Sequence, residues 1–100
     1  MNMNENYSQL AEVLSRACEQ AAEGKGAQRH GQGLPFDEQP MQTISRLLGT
    51  EKGMIYQAIK KAQESTRMGT EPAVRELLGA INYLAGAIIF LESKINEGQD

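Results

Sequence analysis

Tryptophan is absent from this 100-residue chain, and cysteine and histidine occur once each, with only three prolines and five aromatic residues (three tyrosines, two phenylalanines). A lone Cys18 excludes an intramolecular disulfide and any multi-cysteine zinc site, and it fits a reducing compartment. Its setting in LSRACEQAA predicts a small buried hydrophobe. With His30 as the only imidazole and no clustered ligands, the chain holds little for nucleophilic or metal chemistry, so no enzyme, cofactor or metal is expected. Basic charge is also short. Ten Lys and Arg stand against 13 Asp and Glu, a net charge of −3, and the pI near 5.2 argues against duplex nucleic acid or an anionic membrane as the main partner. The opening MNMNENYSQ has no apolar run of the signal-peptide kind, so the cytoplasm is the expected compartment. The most apolar stretch, Leu77 to Leu91, is bounded by Glu76 and Glu92 and is too short for a membrane span.

What the chain does have is helical periodicity over a length that makes one domain, residues 1–100, with a modest core. From Tyr7 to Glu23, Leu10, Val13, Leu14, Ala17, Cys18 and Ala21 recur at spacings of three and four, predicting a helix with one apolar face that ends at Gly24. A second helix is expected from an N-cap near Asp37, with Met41, Ile44, Leu48, Ile55, Ile59 and Ala62 as its buried stripe. Gly49 and Gly53 interrupt that stripe and predict a kink or a split. After RMGTEP, with Thr70 as N-cap and Pro72 in the first turn, a third helix is expected to about Ile95. No useful β-alternation occurs, so the fold class is all-α with three helices. In the third helix Val74, Leu77, Ile81, Leu84, Ile88, Leu91 and Ile95 form a heptad seam. Leu78, Ala85 and Ile89 add a second stripe, and Gly79 and Gly86 suggest a face where another backbone approaches closely. From Leu77 to Leu91 only Asn82 is frankly polar. Two other helices can hardly cover such a helix, which points to a homo-oligomer; a compact monomer with a greasy last helix is the plain alternative.

The stretch GKGAQRHGQGLPFDEQP, residues 24–40, holds four of the ten glycines together with Lys25, Arg29 and His30. Backbone N–H groups around Gly24 and Gly26, with the two cations, suit a phosphate, although a solvated linker would read the same way. A P-loop is excluded because Lys25 is followed by Gly26 instead of Ser or Thr. TISRLLGTEKGMIYQAIKK, residues 43–61, matches a helix-turn-helix with Gly49 in the turn; Thr50 at the usual apolar place, Gly53 in the recognition helix and the acidic charge count against DNA. An all-α nucleotide pyrophosphohydrolase would need EExxE and ExxD runs to bind magnesium, and Glu19, Glu23, Glu76 and Glu92 reproduce neither spacing.

With GKGAQRHGQGLPFDEQP followed by GMIYQAIKKAQESTR and ELLGAINYLAGAII, the chain resembles the phage anti-CBASS sponge proteins over most of its length, Tyr7 to about Glu92. Those helical proteins bind the cyclic oligonucleotide signals of bacterial CBASS immunity. The resemblance implies a homohexamer of three-helix subunits in the host bacterial cytoplasm, with cyclic dinucleotides held between two protomers and, in some members, cyclic trinucleotides held among three. It implies ligand contacts from the loop, with Lys25 at the family's lysine and Gly24, Gly26, Arg29 and His30 as further donors. Tyr7 falls near the family's stacking aromatic, with Leu10 and Ala11 competing for that place within a helical turn, and Phe36 is next in line. Arg67 and Arg75, flanking RMGTEP, would serve the trinucleotide. Helix stapling by Tyr7 and ion pairing of the two arginines with Glu64 and Glu71 are the structural alternatives.

Overall fold

Proline and glycine set most of the helix boundaries in the computed structural model, which describes residues 5–23 and 33–98. A single 3-10 turn, Glu5–Tyr7, leads into α1 (Ser8–Glu23), and the Ser8 hydroxyl donates to the Glu5 carbonyl at 3.0 Å across the junction. After a second 3-10 turn at Phe36–Glu38 come α2 (Pro40–Leu48), α3 (Lys52–Ser65) and α4 (Thr70–Asn96). The fold is all-α with four helices, and no strand occurs among the described residues. The fourth helix arises because the expected second helix is split.

Two of those boundaries differ from expectation for identifiable reasons. Pro40 has no N–H to give and pushes the residue before it out of the helical region, so Gln39 is extended (φ −73°, ψ 162°) and α2 starts at Pro40. Asp37 is therefore inside the 3-10 turn and is not an N-cap. Gly49 then takes φ +74°, a left-handed conformation open to glycine, and its N–H reaches the Ser45 carbonyl at 2.8 Å to close α2. The helix restarts three residues later as α3, where the Lys52 N–H donates to the Thr50 hydroxyl at 3.2 Å. At α4 the N-cap is Gly69, whose carbonyl takes the Ala73 N–H at 3.0 Å, and Thr70 is already helical; Pro72 does lie in the first turn.

Because α2 and α3 are separate, one stripe cannot run through both. Ile44, Leu48, Ile59 and Ala62, expected inside, are exposed, while Gln42, Ser45, Met54 and Ala58 are buried. Small side chains let the helices approach α4, and Gln42, only 1% exposed, donates from Nε2 to the Gly86 carbonyl at 2.8 Å. The core is the cluster of Met54, Ala87 and Phe90, flanked by Met41, Ile55 and Tyr83.

The two helical glycines of α4 receive side chains of the same chain, not another backbone. A Cβ at Gly86 would lie 2.9 Å from Met54 Sδ and 3.1 Å from Met41 Cε; one at Gly79 would lie 3.2 Å from Lys61 Cδ. The stem of Lys61 crosses Gly79 so that its ammonium pairs with Glu76 at 3.7 Å. The heptad seam, by contrast, has no cover. Val74, Leu77, Leu84, Ile88, Leu91 and Ile95 are exposed and only Ile81 is half-buried. By length and composition α4, at 27 residues and a mean hydropathy of 1.5 over its most apolar window, is able to cross a membrane; here α1, α2 and α3 all pack along it.

Candidate functional site

The packing of α1 on α4 is held by side-chain amides. Gln20 donates from Nε2 to the Arg75 carbonyl at 3.2 Å, and Asn82 from Nδ2 to the Ala17 carbonyl at 2.9 Å. Ala17 is the one fully buried residue of α1, and a space opens beside its contact with α4. That space is a cavity of about 960 Å³, floored by Ala17, Cys18 and Ala21 of α1 and by Ile81, Asn82, Ala85 and Ile89 of α4. The segment from Gly33 to Gln39 closes one side with Leu34 and Phe36, and Gln39 is braced there by its own Nε2, which donates to the Leu34 carbonyl at 3.0 Å. The size is within the range of small-molecule pockets, about 300 to 1,000 Å³, and the mainly apolar lining with a few fixed polar groups is typical of them.

Of the residues singled out from sequence, Phe36 is in the cavity wall, half-buried. Gly24, Lys25, Gly26, Arg29 and His30 lie outside the described residues; Glu23 and Gly33, which flank them in sequence, both line the cavity. Tyr7 is 55% exposed at the end of the first 3-10 turn and does not line the cavity; nor do Leu10 and Ala11, and Leu14 is the first α1 residue that does. Arg67, in the turn after α3, and Arg75, on the first part of α4, are both exposed and away from the cavity lining. Neither forms an ion pair among the described residues, so the pairing with Glu64 and Glu71 is not what the structure has.

Cys18 corrects its expectation: it is exposed, with its side chain in the cavity wall. Helical spacing places it on the apolar face, but at this position that face borders the open cavity instead of a packed neighbour. Asn82 and Gln39 were given no site role from the sequence. Asn82 carried a signal, as the one frankly polar residue in an apolar run; Gln39 carried none.

A smaller groove of about 270 Å³ lies between α2 and α3 beside Tyr83, with Ile44, Leu48 and Gly53 at its edge. Among the described residues no group of three His, Cys, Asp or Glu, Glu19, Glu23, Glu76 and Glu92 included, is placed to hold a metal ion. No protein family, curated protein or solved structure matches the chain.

Proposed function

We propose that the protein is a phage anti-defence sponge that binds cyclic dinucleotides, and in a separate place cyclic trinucleotides, and so keeps the second messengers of CBASS immunity from their effectors in the host bacterial cytoplasm. The observation that supports this best is the cavity of about 960 Å³ with Phe36, Glu23 and Gly33 in its lining, the last two flanking in sequence the residues that include Lys25, Arg29 and His30. A cyclic dinucleotide needs a flat apolar surface for a base and cationic or N–H donors for its phosphates. Phe36 suits the first need. Lys25 and Arg29, close in sequence to Glu23, suit the second.

Action is by mass action: an abundant protein that binds more tightly than the effector lowers the free messenger, and the ligand leaves unchanged. The uncovered seam of α4 supports a homo-oligomer, and the resemblance to the sponge proteins supports six subunits with ligands held between them. Arg67 and Arg75, unpaired among the described residues, remain the candidates for a trinucleotide. Calorimetric titration with cyclic di- and trinucleotides tests the reading. Lys25→Ala is expected to weaken dinucleotides by about 1 to 3 kcal/mol, the range for a lost charged hydrogen bond, and Arg67→Ala to weaken trinucleotides alone. Binding of neither ligand class by the wild-type protein would overturn it.

A second reading, a helix-turn-helix DNA-binding regulator, is favoured by one observation. α2 and α3 are joined through Gly49 in the left-handed conformation, and α3 exposes Lys52, Tyr56 and Lys60 at four-residue spacing on one face. The net charge of −3 weighs against it. Salt-dependent binding to duplex DNA with no response to cyclic nucleotides is its signature.

A further inference from the structure

The cavity between α1 and α4 has a chemical bias beneath its apolar lining. Among the described residues, three polar side chains line it with more than a thiol to offer: Glu23, Gln39 and Asn82. A backbone carbonyl only accepts, so the contacts of Asn82 with Ala17 (2.9 Å) and of Gln39 with Leu34 (3.0 Å) fix both amides with nitrogen toward the backbone. Each oxygen is then left over, and neither has a hydrogen-bond partner among the described residues. Glu23 adds a carboxylate at the rim. The polar side chains of the wall among the described residues therefore offer oxygen acceptors in a setting of alanine, leucine, isoleucine and phenylalanine.

Such a wall opposes a phosphate and rewards a flat apolar ring edged with N–H donors, because an acceptor covered by a ligand without a donor loses its water for nothing. We infer that this cavity takes a nucleobase, with the sugar-phosphate ring held outside, and that it selects amino-bearing purines: Asn82 Oδ1 and Gln39 Oε1 accept from the base's amino and ring N–H groups while Phe36 packs on its face. Guanine sets N1–H beside its 2-amino group, and adenine offers its 6-amino group. Uracil has one imide N–H between two carbonyl oxygens, which would meet the acceptors of the wall oxygen to oxygen. Hypoxanthine keeps the purine face and lacks the amino group. The inference rests on the proposed function for the ligand that carries the base, but the base preference is a property of the wall itself.

Cys18 makes the test direct, since it is the only cysteine, is exposed and lines the cavity. The rate at which a disulfide reagent modifies Cys18 in the full-length protein reads occupancy. Cyclic di-AMP and cyclic di-GMP are expected to slow that reaction strongly and to bind roughly ten-fold more tightly than cyclic di-UMP and cyclic di-IMP, the size of one lost hydrogen bond to a covered acceptor. Asn82→Asp keeps the acceptor and is expected to keep the preference, whereas Asn82→Leu is expected to lose it; equal losses in both variants would mean that Asn82 only ties α4 to α1 and would overturn its assigned role. Binding of all four cyclic dinucleotides alike, or binding that leaves Cys18 as reactive as before, overturns the inference and leaves the sponge reading standing. Protection by millimolar adenosine or guanosine with no binding of any cyclic dinucleotide sustains the base cavity and removes the sponge. No protection by any of these ligands overturns both.

Discussion

Phe36 and Tyr7 are both aromatic candidates for a nucleobase, and their surroundings separate them. Phe36 is half-buried in the cavity wall of its own subunit; Tyr7 is exposed and outside that wall. Phe36→Ala is therefore expected to weaken cyclic dinucleotides by about 1 to 3 kcal/mol, the usual worth of base stacking, as measured by calorimetry. Tyr7 contributes only where a neighbouring subunit brings it to the ligand, so Tyr7→Ala should weaken binding in the oligomer, Tyr7→Phe should not, and both should bind alike in any variant held as a monomer. Gly86 is a second residue whose role follows from its neighbours. Met54 and Met41 occupy the space where its side chain would be, and Gln42 takes its carbonyl. Gly86→Leu should therefore lower the unfolding free energy by roughly 3 kcal/mol, from overpacking, as followed by urea denaturation. Unchanged stability would show that the methionines do not fill that space.

At the level of elements, the seam of α4 makes the clearest demand. Ile88 is exposed in the subunit, so Ile88→Glu should cost the isolated helix little, while in a packed seam it would bury a charge. Light scattering is expected to show the wild-type protein as an oligomer and the variant as smaller species with the same helical circular dichroism. A wild-type monomer at micromolar concentration would leave the seam without a purpose. The seam and α4 itself were legible in the sequence because one uninterrupted helix preserves its period. The stripe assigned across residues 41–62 was not, because Gly49 breaks the helix and α3 restarts in its own register, which left Ile44, Leu48 and Ile59 outside. The start of α2 was legible in Pro40 but was read from Asp37, where an acidic cap outweighed the stronger steric signal. Phe36 could be picked out by sequence, yet the cavity around it is formed by α1, α4 and the segment from Gly33 to Gln39 together, a tertiary fact with no local signature.

For the whole molecule, the small interior and the apolar exterior belong together. Gln42, Ser45 and Ser65 are buried, while Leu47, 86% exposed, and the α4 seam face outward, the reverse of what a self-sufficient monomer of this size would show. That exterior is what the proposed homo-oligomer would cover, and the cavity between α1 and α4 is where the proposed ligand would sit. The claim that the protein sequesters its ligand unchanged is tested most directly by retention and release. Cyclic dinucleotide is incubated with the protein, the unbound fraction is removed by filtration, and the protein is heat-denatured before chromatography of the released nucleotide. Near-stoichiometric ligand is expected to be retained and recovered intact. Linear or monomeric products would contradict sequestration in favour of a hydrolase, and failure to retain any cyclic di- or trinucleotide would contradict it altogether.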